Sequence, residues 1–179
     1  MSNLANKTLV LGGVRSGKSA LAERLAERLA GQAGVPVVYL ATATAGDDEM
    51  ADRIARHQQQ RPDDWGLVEE PVDLAAVLQA PGERQPAPGL LIDCMSLWMN
   101  NLLQEPQHRF AGHRRAFLDA LAGYPGPVVI VSNEVGLGII GMDSLTRRFA
   151  DELGWLNQDL ASRCDRVIMS VAGLELPLK

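Results

Sequence analysis

Gly12, Gly17, Lys18 and Ser19 follow the spacing GxxxxGK[ST] within the run GGVRSGKS. These residue types suit a phosphate chain. Glycines let successive backbone N–H groups curl around phosphate oxygens, the lysine reaches the β- and γ-phosphates, and the serine hydroxyl can ligate Mg²⁺. The chemistry needs a strand entering the loop and a helix leaving it, because the first helical turn adds unpaired N–H donors and a positive dipole end. The plainer reading is a glycine turn before a helix. Asp93 closes another apolar run and is the natural carboxylate partner for the cation, although a strand-end turn residue reads the same way locally. Glu134 also follows an apolar run, and could orient a water or substrate hydroxyl or be an inert loop carboxylate.

A second constellation lies between these points. Met50, Ile54, His57 and Arg61 fall at i, i+4, i+7 and i+11, along one stripe of a helix expected over Asp47 to Gln60. Met50 and Ile54 would pack inward, and His57 and Arg61 would emerge near the C-terminal end, where the dipole favours a cation. Neutral imidazole is a good nucleophile toward phosphorus and also a general base. The residues alone equally allow a structural histidine. His108 and His113, in a polar stretch, carry no such pattern.

The elements that must position these groups follow from periodicity. Thr8 to Leu11 reads as a buried strand, and Leu21, Leu25 and Leu29 mark a helix from Ser19 that Gly31 and Gly34 stop. Further strands are predicted over Val35 to Leu40, Leu90 to Ile92, Val128 to Ser132 and, as the last one, Arg166 to Val171. Helices are predicted over Ser96 to Leu103, Arg109 to Leu121 and Leu145 to Ser162, the last with Phe149, Leu153, Leu156 and Leu160 on one face. Gln79 to Gly89 is rich in Pro and Gly and reads as a surface loop. Continuously apolar strands alternating with helices imply an α/β domain spanning 1–179, with a mainly parallel sheet covered on both faces. Ligands then bind beyond the carboxyl ends of the strands, at Gly12 to Ser19, Ala41 to Thr44, Asp93, and Asn133 to Glu134.

Composition narrows the classes. The chain has 179 residues, 46% apolar and 22% charged, the balance of an ordinary globular domain. A net charge of -5 argues against nucleic acid as the main partner. Cys94 and Cys164 are too few for a disulfide framework and predict buried free thiols in a reducing compartment. The first residues lack a signal-peptide pattern, and no apolar run approaches the roughly 18 residues of a membrane span, so a cytoplasmic protein is expected.

GGVRSGKS, YLATA, DDEMADRIARHQQQRPDDW, LLIDCMSLWMNNLL and VSNEVGLGI occur in that order. Together they closely resemble the bifunctional adenosylcobinamide kinase / adenosylcobinamide-phosphate guanylyltransferase family of cobalamin biosynthesis, over Leu9 to Lys179. The resemblance implies a three-layer P-loop fold like that of RecA, and a homotrimer. It also implies two reactions: phosphorylation of adenosylcobinamide by ATP or GTP, then transfer of GMP from GTP to adenosylcobinamide phosphate through a guanylyl-histidine, with release of pyrophosphate. The family nucleophile falls in an RIxxH segment, which places it at His57; Arg56 stands where some members have a second histidine. Nucleotide contacts are implied for Gly12, Gly13, Val14, Arg15, Ser16, Gly17, Lys18 and Ser19. They are implied likewise for Ala41, Thr42 and Ala43, for Gln58, Gln59, Gln60 and Arg61, and for Glu69 and Asp93. Lys18 joins His57 as a catalytic residue, and Ser19 and Asp93 are the implied Mg²⁺ ligands. The run IGMDS after VGLGI departs from the Pro-containing stretch expected there. A monofunctional P-loop kinase with a structural His57 is the first competing reading, and a non-catalytic or regulatory nucleotide-binding module of RecA type is the second.

Overall fold

The computed structural model describes residues 7–43, 62–80 and 86–179. The helix expected over Asp47 to Gln60 lies outside them, and with it Met50, Ile54, His57, Gln58, Gln59, Gln60 and Arg61.

Strand β1 (Lys7–Gly12) runs into the phosphate loop, and α1 (Lys18–Ala33) leaves it. The Leu21/Leu25 spacing buries one face of α1, and Leu29 packs at its margin. Gly31 does not stop this helix. It continues to Ala33, where Gly34 adopts φ 66° and its N–H reaches back to the Ala30 and Gly31 carbonyls. A left-handed residue is what ends the helix, and glycine reaches that conformation without a Cβ penalty.

Next come β2 (Val37–Ala41), β3 (Gly66–Glu69), the short α2 (Leu74–Gln79) and β4 (Gly89–Asp93). They are followed by α3 (Met95–Gln104), α4 (Gln107–Gly123) and β5 (Val128–Asn133). The chain closes with α5 (Ser144–Arg163), β6 (Arg166–Val171) and β7 (Leu174–Pro177). Three of these elements, β3, α2 and β7, were not expected. Arg166 to Val171 is therefore not the last strand. The departure IGMDS has a local role, since Asp143 caps α5 by accepting from the Thr146 N–H at 2.8 Å and the Thr146 hydroxyl at 2.6 Å.

The seven strands form one sheet in the order β3-β2-β4-β5-β1-β6-β7, parallel except for β7. Alternate side chains of each strand serve opposite cores. Leu9, Leu40, Ile92 and Ile130 point to the face covered by α2 to α5, while Val10, Leu91 and Val131 point to α1. Trp98 anchors the first core, packing edge-on to Phe117 at 4.9 Å and donating its Nε1–H to the Val72 carbonyl at 2.8 Å. The result is the expected three-layer α/β architecture, a mainly parallel sheet with helices on both faces. Cys94 and Cys164 are buried free thiols.

Candidate functional site

The loop between β1 and α1 has a shape that its residues require. A Cβ on Gly12 would sit 2.4 Å from Ser16 Oγ and 2.8 Å from the Ser170 carbonyl oxygen, so only glycine fits. Gly17 caps α1 with φ 90°, and Arg15 also takes a positive φ of 55°. Val14 and Arg15 face solvent. The Lys18 ammonium folds back over the loop and donates to the Gly13 carbonyl at 3.0 Å. Ser19 follows in the first turn of α1, whose N–H groups have no intrahelical acceptor. Such a loop presents donors and a mobile cation to an anion.

Asp93 ends β4 on the same side of the sheet as Leu91, the side that α1 covers. It lies two strands from β1, about 10 Å at ordinary strand spacing. Its Oδ2 accepts the Tyr39 hydroxyl at 3.1 Å. Burial first, and the Asp93 charge second, push the Tyr39 phenol far above its ordinary range, so Tyr39 stays a donor. Burial first, and the Asp93 charge second, also push the Cys94 thiol up, opposed by its hydrogen bond with the Ser96 hydroxyl at 3.0 Å.

Ala41, Thr42 and Ala43 follow β2, the strand beside β4. Thr42 is fully buried and locks the two strand ends together. Its N–H donates to the Asp93 carbonyl at 3.2 Å. Its hydroxyl donates to the Cys94 carbonyl at 2.8 Å and accepts from the Cys94 N–H at 2.9 Å. Asn101 Nδ2 then ties the Thr42 and Pro71 carbonyls together at 2.9 and 3.0 Å. The Thr42 hydroxyl is thus committed to shaping the strand ends.

Glu69 is exposed at the end of edge strand β3, in register with Ala41. It stands four strands from β1, roughly 19 Å. Its neighbour Glu70 is occupied in accepting the Val72 and Asp73 N–H groups, each at 2.8 Å. Glu134 abuts the loop through its N–H, which donates to the Gly12 carbonyl at 3.1 Å, while its carboxylate accepts from the Gly136 N–H at 2.9 Å. The fold therefore gathers Gly12 to Ser19, Asp93, Ala41 to Ala43 and Glu134 along one edge of the sheet, with Glu69 at its far end. Tyr39, Asn101 and Ser170 were missed by sequence reasoning. Ala172-Gly173 between two apolar runs was the one available signal for the hairpin that carries Ser170.

A family profile described as cobinamide kinase / cobinamide phosphate guanyltransferase matches residues 8–178. The bifunctional adenosylcobalamin biosynthesis protein CobP of Pseudomonas aeruginosa is 51% identical over 175 residues, covering 97% of each chain. The bifunctional adenosylcobalamin biosynthesis protein CobU of Escherichia coli is 35% identical over 185 residues, covering 96% of this chain and 98% of its own. Among solved structures, a KaiC-like protein of the hyperthermophilic archaeon Pyrococcus horikoshii is similar over 92% of this chain and 70% of its own, at 15% identity and a TM-score of 0.48.

Proposed function

This chain belongs to the cobinamide kinase / cobinamide phosphate guanyltransferase family, and we propose that it carries out the two reactions from two poles, the phosphate loop and His57. In the kinase reaction the terminal phosphoryl group of ATP or GTP passes to the aminopropanol hydroxyl of adenosylcobinamide. In the second, GMP from GTP is joined to the new phosphate and pyrophosphate leaves. The observation that carries the first pole is the phosphate loop with the Lys18 ammonium lying over it.

At that pole the loop N–H groups bind the triphosphate, and Lys18 exchanges the Gly13 carbonyl for phosphate oxygens, where it offsets charge developing on the leaving phosphates. Ser19 and Asp93 offer a hydroxyl and a carboxylate on the α1 side of the sheet. Hard oxygen donors of this kind suit Mg²⁺, which commonly takes its remaining ligands from phosphates and water. Bound there, Mg²⁺ would supply charge neutralisation across the phosphates. Tyr39 fixes the orientation of the Asp93 carboxylate.

The second pole rests on His57. An imidazole nitrogen attacks the α-phosphorus of GTP, the bond to pyrophosphate breaks, and GMP is held as a phosphoramidate. An oxygen of adenosylcobinamide phosphate then attacks that phosphorus, the P–N bond breaks, and His57 is restored. Arg61, four residues on in the sequence, steadies the transferred group, together with Gln58, Gln59 and Gln60. Glu69 suits the N–H donors of guanine or ribose hydroxyls. Its position about four strand spacings from β1 supports separate poses for the phosphoryl donor and the guanylyl donor. The same reading includes a cytoplasmic homotrimer. No described helix is long and apolar enough to cross a membrane, and Leu137, Ile139 and Met142 offer exposed apolar surface for association.

The test is to assay both half-reactions on His57→Ala. Retained phosphorylation of adenosylcobinamide with guanylyl transfer lost supports two poles. Retention of both activities means that guanylyl transfer does not pass through His57 and sinks the second pole, and a wild type that phosphorylates adenosylcobinamide without guanylyl transfer leaves a monofunctional kinase with a structural His57.

A further inference from the structure

The hairpin of β6 and β7 grips the phosphate loop from behind. The Ser16 carbonyl accepts two hydrogen bonds at once, from Ser170 Oγ at 2.8 Å and from the Gly173 N–H at 2.8 Å. The approach is tight, since a Cβ on Gly17 would stand 3.1 Å from the Gly173 Cα. Ser170 is 2% exposed, so its hydroxyl has no recourse to water. Ala172 and Gly173 take φ values of 52° and 79°, the paired positive angles of a two-residue hairpin turn that aims the Gly173 N–H at the loop.

A trans peptide holds its C=O and the following N–H antiparallel. The Ser16–Gly17 peptide is trans. Pinning the Ser16 carbonyl toward the hairpin therefore turns the Gly17 N–H the opposite way, away from the hairpin. A flip of this one peptide would replace a donor with a carbonyl oxygen where a phosphate must sit. We propose that Ser170 and the Ala172–Gly173 turn are positioning elements for phosphate binding, holding the Ser16–Gly17 peptide so that its N–H joins the anion cradle. The proposal rests on the reading that Gly12 to Ser19 takes the triphosphate. It assigns the hairpin, which makes no predicted contact with substrate, a part in nucleotide affinity.

The experiment compares binding of β,γ-imido-GTP and GMP to the full chain, wild type and Ser170→Ala, by calorimetry. Wild type must prefer the triphosphate; if it does not, the phosphate-loop reading fails independently of Ser170. Given that preference, Ser170→Ala is expected to weaken the triphosphate roughly three- to tenfold, the range for one lost hydrogen bond, and GMP by no more than about twofold. Unchanged affinities, or equal losses for both ligands, overturn the proposal, because a merely structural role would not discriminate by phosphate number. Should Ser170→Ala not stay folded at the assay temperature, Ser170→Cys, similar in size and a poor donor, is read by the same ratio.

Discussion

Replacing Thr42 by valine keeps the side-chain volume and deletes one hydroxyl at the junction of β2 and β4. Its effect follows from the partners left behind. The Cys94 N–H loses the hydroxyl it donates to at 2.9 Å. The Cys94 carbonyl loses the hydroxyl donor at 2.8 Å but still accepts the Trp98 N–H at 3.1 Å. One buried donor is thus orphaned outright, at about 1–3 kcal/mol, and one acceptor is left partly satisfied, at a few tenths to about 1 kcal/mol. The sum, about 1.3–4 kcal/mol, corresponds to a fall in Tm of roughly 3–16 °C for a domain of this size. Scanning calorimetry on wild type, Thr42→Val and Thr42→Ser measures it. The serine variant keeps the hydroxyl and should lose much less. A Thr42→Val midpoint within about 2 °C of wild type, or an equal loss in Thr42→Ser, would refute the view that the hydroxyl joins the two strand ends.

Two other perturbations test single contacts. Tyr39→Phe removes the donor to Asp93 Oδ2, and the Mg²⁺ concentration for half-maximal binding of β,γ-imido-GTP should rise roughly three- to tenfold with little change in metal-free binding; an unchanged Mg²⁺ requirement contradicts the positioning role. Burial first, and Asp165 second, push the Cys164 thiol up to about 12. The unfolded thiol, near about 8.5, sheds its proton first, so this contribution is complete below that pH and is lost as pH climbs toward about 12. Urea midpoints should fall from about pH 8.5 upward, and Cys164→Ala should flatten part of that slope; an identical slope in the variant contradicts it.

Legibility of the fold tracked burial. β1, β4 and β5 are covered on both faces, so TLVL, LLI and VVIVS advertise themselves as apolar runs. β3 is an edge strand whose Leu67 is exposed, and GLVE carries no such signature. β7 is exposed throughout, and its Pro177, tolerable only because the strand lies at the edge, argues locally against a strand. α2 spans six residues, too few for a helical period to declare itself. The site divides in the same way. The phosphate loop is contiguous, so its chemistry can be read from spacing. The contacts that set its geometry join Tyr39 to Asp93 and Ser170 to Ser16, 54 and 154 residues apart, and no local pattern announces them.

The covalent step is the centre of the account, and retention of label tests it most directly. Wild type and His57→Ala are incubated with GTP labelled at the α-phosphate, denatured, and freed of nucleotide. The account predicts label on wild type, none on His57→Ala, no label from γ-labelled GTP, and discharge of the wild-type label by adenosylcobinamide phosphate. Absence of label on wild type, or equal label on His57→Ala, would contradict it.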